Sequence, residues 1–112
     1  MTSATGANPD LLGFTDTNLN NHWTGGKSDH SKDYPDMTKE QYAQRALELV
    51  RAATNDNILG YKAADGAIVR YSKASNDFVK SGAEGIRTMF KPKRKEDYFN
   101  RQLKEDGGKQ DD

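Results

Sequence analysis

The sequence predicts an α+β fold in which an N-terminal loop and a helix pack on an antiparallel sheet of about four strands. Two observations lead to this prediction. Residues 38–53 carry apolar side chains at helical spacing, and residues 58–91 contain four short segments that alternate as strands do. The chain has 112 residues, which suits one small domain with a thin core.

The predicted helix has a recognisable beginning in the sequence "TKEQ". Thr38 is the expected N-cap and Gln41 its partner three residues later, which together form a capping box. The helix should end near the turn-like sequence "TNDN" at residues 54–57. Between these limits, the apolar residues that define the buried face are Tyr42, Ala46, Leu49, Val50 and Ala53.

The four predicted strands are "ILGYKA", "AIVRYS", "NDFVKS" and "GIRTMFK", and "ADG" between the first two is a hairpin signal. Alternation then assigns side chains to faces. In the second strand Ile68 and Arg70 share one face. In the fourth, Ile86, Thr88 and Phe90 share a face. Polar Arg70 and Thr88 therefore occupy faces that also carry apolar residues, where a site could be built.

Three segments of different character divide the chain. Residues 1–20 are polar and are expected to form a flexible arm or linker, and residues 21–103 the folded domain. Within that domain, "EDYFNRQL" can form a short helix, and Tyr98 and Phe99 would be the side chains that pack it against the rest of the domain. Residues 104–112 are expected to be a disordered acidic tail.

Composition excludes several classes of protein. The chain has no cysteine, which removes disulfides, thiolate metal sites and cysteine nucleophiles. It contains no apolar run long enough to span a membrane, and its first residues lack the features of a signal peptide.

The formal net charge is zero, but the charges are unevenly distributed. Residues 1–60 carry five Lys and Arg against eight Asp and Glu, whereas residues 61–103 carry ten against five. The last nine residues carry two against four. A basic second half can bind phosphate even in a neutral chain.

The two histidines, His22 and His30, allow three interpretations. As metal ligands they would need help from Asp29 or Asp33, and their spacing fits no known zinc pattern, so we predict no metal and no cofactor. As an acid and a base, two imidazoles can cleave RNA, with a Lys or Arg stabilising the phosphorane. As solvated loop residues they would have no chemical role, and composition alone favours this last interpretation.

The sequence "KPKRKEDYFNR" interleaves basic and aromatic residues, as phosphate contacts combined with base stacking require. A solvated surface after a strand explains it equally well. Candidates for RNA binding in the second half of the chain are Lys91, Arg87, Tyr71, Lys93 and Arg94.

The order of these motifs resembles a known family. "HWTGGKSDHSKDYPDMTKEQYAQRALEL", "ILGYKAADGAIVRYSKASNDFVKS" and "GIRTMFKPKRKEDYFNRQ" together resemble the C-terminal nuclease toxin domains of contact-dependent growth-inhibition and polymorphic toxin systems, which share the barnase/EndoU/colicin/RelE-like fold. The similarity covers residues 21–101. The His loop departs from the commoner "K-H-G-x-E-F-G" pattern, which leaves the role of Lys27 open.

The resemblance implies a metal-independent ribonuclease that cleaves tRNA through 2′-OH attack. It implies secretion as part of a large cell-surface effector, action in the cytoplasm of a target cell, and inhibition by a cognate immunity protein. Some relatives need a host translation factor, and the resemblance leaves that partner open. The catalytic residues it implies in this chain are His30, His22, Arg70, Thr88 and Lys27. It also implies that Lys91 contacts the phosphate.

Other functions remain as alternatives. The chain could be a toxin that cleaves rRNA or DNA, or a non-enzymatic binding module. An immunity protein is a weaker alternative, since partners of nucleases tend to be acidic throughout and this chain has a basic half.

Overall fold

In the computed structural model, which describes residues 11–23, 30–107 and 109–110, helices come first, four consecutive strands follow, and a further helix and a short strand come last. Of residues 21, 22, 30, 31, 109 and 110, only the backbone is described. The helices are α1 (Asp16–Trp23), α2 (Lys39–Arg51) and α3 (Glu96–Glu105), with a short 3-10 helix at His30–Asp33. The strands are β1 (Ile58–Lys62), β2 (Ile68–Ser72), β3 (Asp77–Gly82), β4 (Gly85–Phe90) and β5 (Lys109–Gln110).

The strands form one antiparallel sheet in the order β4-β3-β2-β1-β5. Four consecutive strands joined by tight turns make up most of it, so the predicted α+β class is confirmed. The fifth strand is two residues long and pairs Tyr61 with Gln110 and Lys62 with Lys109. Among the described helices, none is long and apolar enough to cross a membrane.

The capping box predicted for α2 is present. Thr38 Oγ1 accepts a hydrogen bond from the backbone N–H of Gln41, and Gln41 Oε1 accepts one from the N–H of Thr38. The helix ends at Arg51, a few residues before the predicted turn. The helix-spaced residues Tyr42, Ala46, Leu49 and Val50 are buried, as the apolar pattern predicted.

The sheet has a helix on each face, and each helix builds its own part of the core. On one face α2 packs on Val79, Ile86 and Met89 together with Tyr34. On the other face the Phe99 side chain of α3 packs against an aromatic group. The buried side chains of this second layer are Tyr61, Ala63, Ala67, Val69, Tyr71, Phe78 and Phe99.

An irregularity in β4 changes the faces that alternation predicted. Thr88 pairs with Lys80, but Ile86 pairs with Ser81, so Arg87 is an extra residue and forms a β-bulge. Ile86 therefore lies on the α2 face and packs in the same cluster as Met89. The prediction that Ile86 shares a face with Thr88 is wrong, because a bulge shifts the alternation by one residue.

Residues 11–20 pack against the domain, in contrast to the flexible arm expected for residues 1–20. The carbonyl of Gly13 accepts a hydrogen bond from the N–H of Ile86 at 3.1 Å, and that of Leu11 accepts one from Arg51 Nε at 2.8 Å. Gly85 has φ of +128°, and a Cβ there would collide with the Gly13 carbonyl oxygen. Backbone hydrogen bonds and apolar contacts thus fix residues 11–20, although the polar composition of this segment predicted no packing against the domain.

The C-terminal boundary also differs from the expected start of a tail at residue 104. Helix α3 continues to Glu105 and so crosses the boundary predicted after residue 103. The Asp106 carboxylate then accepts hydrogen bonds from the Tyr61 hydroxyl and from Lys80 Nζ, the latter at 3.1 Å. These bonds fasten the end of α3 to the sheet. Asp111 and Asp112 lie outside the described residues.

Candidate functional site

A buried carboxylate organises the end of the sheet where β4 finishes. Asp77 is the first residue of β3 and is 1% exposed. Its Oδ1 accepts hydrogen bonds from the Tyr34 hydroxyl at 2.8 Å and from Lys91 Nζ at 2.9 Å. Its Oδ2 accepts bonds from Arg45 Nε at 2.9 Å and from Ser75 Oγ at 2.7 Å. One carboxylate therefore holds two cations and two hydroxyls in place.

The turn between β2 and β3 sets the position of this carboxylate. Asn76 has φ of +55°, a left-handed conformation that Asn tolerates better than most residues. Its Oδ1 accepts a hydrogen bond from the Tyr71 hydroxyl at 2.7 Å, and its Nδ2 donates to the Pro92 carbonyl at 3.0 Å. The turn is thereby joined to the segment that follows β4, which brings Lys91 to Asp77.

Hydrogen bonding and burial shift the pKa values of the two buried acids, Asp77 and Tyr34, in opposite directions. Burial alone would raise the pKa of Asp77, but hydrogen bonds from Lys91, Ser75 and Tyr34 outweigh it and hold the pKa below its usual value. Burial, and then the negative charge of Asp77, raises the pKa of Tyr34 far above its usual value. At neutral pH, Asp77 is therefore a carboxylate and Tyr34 a neutral hydrogen-bond donor.

Lys91 reaches from the buried carboxylate towards the surface. Its Nζ donates to the Ser75 carbonyl at 2.7 Å as well as to Asp77, and it lies 4.8 Å from the centre of the Tyr34 ring. Its backbone N–H donates to Asp33 Oδ2 at 3.1 Å. The side chain is 31% exposed. Among the described residues, these contacts use two of the three protons of the ammonium group.

A surface cavity of about 340 Å³ opens beside Lys91. It combines the basic residues after β4 with the rings of Phe90 and Tyr98. Lys93 and Arg94 are exposed. The complete lining is Asp33, Phe90, Lys91, Pro92, Lys93, Arg94 and Tyr98. Three of the predicted RNA-binding residues are thus brought together, with positive charge predominating.

The backbone places the segment of His30 next to this cavity. The 3-10 helix begins at His30 and ends at Asp33, whose carboxylate bonds Lys91. At about 2 Å of rise per residue, His30 lies about 6 Å along the helix from Asp33. Helix α1, which carries His22, contacts this 3-10 helix, and both contact β4. The side chains of His22 and His30 and the whole of Lys27 lie outside the described residues, so their catalytic roles stay predictions.

Arg70 occupies a different place from the one its predicted role requires. It is fully buried on the α2 face, where Nε donates to the Ala52 carbonyl at 3.1 Å and Nη1 donates to the Val69 carbonyl at 2.9 Å. Gly60 stands opposite Arg70 in β1, and its missing side chain makes room for the guanidinium. In this arrangement Arg70 supports the sheet, and a phosphate has no access to it.

Three further predicted residues lie away from Lys91. Tyr71 is 1% exposed and its ring stacks on Phe99, so it belongs to the core beneath α3. Thr88 is half-buried on the α3 face, opposite Lys80. Arg87 is half-exposed at the other end of the sheet, where it pairs with Asp65 at 3.5 Å. The structure therefore separates these residues from the basic cavity.

Sequence patterns pointed to Lys91 but did not single out Asp77 or its partners Arg45 and Ser75. A signal was present for one of them, since an ionisable residue at the start of an apolar strand needs partners if it is buried. Nothing in the sequence pairs Asp77 with Tyr34 or Arg45, which lie 43 and 32 residues away.

In the described part of the chain, no group of three or more His, Asp or Glu side chains could hold a metal ion.

The fold defines the class of the protein as α+β, with a buried ion-pair centre beside a basic cavity. A comparison with protein-family models finds no match to the chain, and a comparison with curated proteins finds none either.

Proposed function

We propose that the chain is a metal-independent endoribonuclease, the toxin domain of a bacterial competition system, and that it cleaves tRNA. The observation that carries the proposal is the position of Lys91. Asp77 holds the ammonium group of Lys91 at the edge of a basic cavity. Asp33, at the end of the segment that begins with His30, accepts a hydrogen bond from the backbone N–H of Lys91. A fixed cation beside an acid–base residue is what cleavage of a phosphodiester requires.

The chemistry begins with removal of the proton from a ribose 2′-OH. The oxygen attacks the adjacent phosphorus, and a phosphorane with an additional negative charge forms. Departure of the 5′-oxygen, which receives a proton, leaves a 2′,3′-cyclic phosphate and a 5′-OH end. This reaction needs a base, an acid and a cation, and all three can be side chains.

His30 is proposed as acid or base, and His22 or Lys27 as its counterpart. Lys91 replaces Arg70 as the cation that stabilises the phosphorane, because Lys91 is partly exposed and Arg70 is fully buried. Lys93 and Arg94 are proposed to bind neighbouring phosphates, since both are exposed on the same cavity.

The remaining parts of the proposal concern delivery and partners. The domain is secreted within a large cell-surface effector and acts in the cytoplasm of the target cell. A cognate immunity protein protects the producing cell, and a host translation factor is an additional candidate partner. The basic character of the cavity favours an acidic immunity protein.

Incubation of the purified chain with total RNA and with plasmid DNA, each in the presence of EDTA, tests the function. The expected products are tRNA fragments that end in a cyclic phosphate and a 5′-OH, and His30→Ala should abolish them. Cleavage that requires a divalent metal contradicts the mechanism, and cleavage of rRNA or DNA instead supports the alternative substrates. Absence of cleavage, together with absence of toxicity inside bacteria, supports a non-enzymatic binding module.

A further inference from the structure

The cavity beside Lys91 has two unlike walls. The rings of Phe90 and Tyr98, both half-buried, form an aromatic wall, and the exposed Lys93 and Arg94 form a basic wall. Its volume of about 340 Å³ falls in the lower part of the range for small-molecule sites. The cavity is therefore large enough for one nucleotide.

The aromatic wall is a corner between two rings. The centres of Phe90 and Tyr98 are 5.4 Å apart, with an angle of 76° between their planes. Phe78 lies behind them, 5.0 Å from Tyr98 and 5.5 Å from Phe90, and is 2% exposed. A flat group that stacks on one of the two cavity rings meets the edge of the other, which aromatic quadrupoles favour.

This corner is held in position before any ligand binds. Tyr98 lies in the first turn of α3, directly before the fully buried Phe99. Phe99 packs on Tyr71 and Tyr61 at centroid distances of 5.9 and 5.5 Å. A ligand therefore loses little binding free energy to ordering of the protein.

The two walls together select a particular form of nucleic acid. A basic wall alone would bind any phosphate backbone, paired or unpaired. An aromatic corner can contact a base face only when that base is unstacked, as in loops and single strands. The charged lining comprises Lys91, Lys93 and Arg94 against Asp33, so it suits an anionic ligand.

We infer that this cavity binds one unpaired nucleotide of a single-stranded RNA segment, with its base on the Phe90–Tyr98 corner and its phosphate at Lys93 and Arg94. The inference rests on the proposed function and narrows its substrate to unpaired RNA, such as the loop of a tRNA. A paired stem would reach only the basic wall, because its base faces are covered by neighbouring bases.

Binding of a short 2′-O-methyl oligonucleotide tests the inference, because RNA without free 2′-hydroxyls cannot be cleaved by the proposed reaction. Fluorescence anisotropy should show the single strand binding about tenfold more tightly than the same sequence in a duplex. Tyr98→Leu should remove that preference, and Tyr98→Phe should keep it because the ring remains. Lys93→Gln should weaken single strand and duplex equally.

A fluorescent base analogue within the single strand provides a measurement that needs no variant. Its emission should be quenched on binding to the unaltered chain, since it stacks on an aromatic ring. If Tyr98→Leu fails to fold, this measurement decides the question. Equal affinity for single strand and duplex, or single-strand binding without quenching, overturns the inference.

The outcome is separable from that of the proposed function. Preferred binding of the single strand without cleavage of any RNA would reject the ribonuclease and leave the nucleotide site intact. Cleavage of RNA without preference for the single strand would reject the nucleotide site and leave the ribonuclease.

Discussion

Lys91 Nζ lies 2.9 Å from Oδ1 of Asp77, in an ion pair whose carboxylate is buried and whose lysine side chain is 31% exposed. The pair joins the end of β4 to the start of β3, the strand beside it. A lysine on an exposed strand end would sample many rotamers. Here Asp77 and the Ser75 carbonyl restrict the ammonium group to one region at the edge of the cavity.

Replacement of Lys91 should separate binding of RNA from the chemical step. We expect Lys91→Gln to lower the rate of RNA cleavage about 100-fold, since one donor to the phosphorane is lost. Lys62→Gln is the matched control, because Lys62 is an exposed lysine at the end of β1, on the opposite end of the sheet from Lys91. Single-turnover cleavage of RNA measures both. Equal rates for the two variants would remove Lys91 from the mechanism.

Asp77→Asn should destabilise the fold markedly. Two cations would lose their carboxylate, and we expect a loss of about 3 kcal/mol in the free energy of unfolding, towards the low end for a broken buried ion pair because Arg45 and Lys91 are partly exposed. The control is Asp65→Asn, since Asp65 forms an exposed ion pair with Arg87 whose loss should lower stability far less. Urea unfolding measures both, and equal losses would contradict the role of Asp77.

Tyr34→Phe and Tyr42→Phe remove hydroxyl groups from the same aromatic cluster, but only the Tyr34 hydroxyl bonds Asp77. The pKa of Asp77 is lowered in the folded protein, so its contribution to stability is present above about 3.8, its unfolded value, and is lost as pH falls through the folded pKa. Tyr34→Phe should reduce that contribution and move the onset of acid unfolding to higher pH.

Tyr42→Phe should lower stability by about 1 kcal/mol without changing its dependence on acid pH, because its hydroxyl bonds the Met89 carbonyl. Circular dichroism as a function of pH compares the two variants. Identical acid profiles would show that the Tyr34 hydroxyl does not control Asp77.

Gly60→Ala tests the placement of Arg70. A Cβ at residue 60 would lie 2.8 Å from Arg70 Cδ and 2.8 Å from the Val69 carbonyl oxygen, closer than real contacts allow. We expect a loss of about 1–3 kcal/mol in the free energy of unfolding. Gly13→Ala is the control, because its nearest contact is Leu47 Cδ1 at 3.4 Å. Thermal unfolding measures both, and unchanged stability of Gly60→Ala would mean that Arg70 can move aside.

The tyrosines should limit stability in alkali. Burial raises the pKa of all five, so in each the folded value exceeds the unfolded value of 10.0. Their contribution to stability is complete below that pH and is lost progressively above it. Ultraviolet absorbance should therefore show most of the tyrosine ionisation only together with unfolding, because burial raises the pKa furthest for Tyr34, Tyr42 and Tyr61. Ionisation of several tyrosines while circular dichroism stays native would contradict their burial.

The sequence by itself determined the local elements. The capping box, the helix-spaced residues of α2 and the hairpin signals predicted one helix and four antiparallel strands, because these features depend on neighbours within a few residues. It also predicted that Lys91, Lys93 and Arg94 would act together, since they are nearly adjacent in the chain.

Only the tertiary structure decided which side chains meet across the fold. The bulge at Arg87 reversed the face of Ile86, and the opening at Gly60 allowed Arg70 to be buried. The meeting of Tyr34 and Asp77 likewise depends on packing between distant segments. A buried carboxylate is stable only where donors surround it, and those donors come from parts of the chain that no local pattern connects.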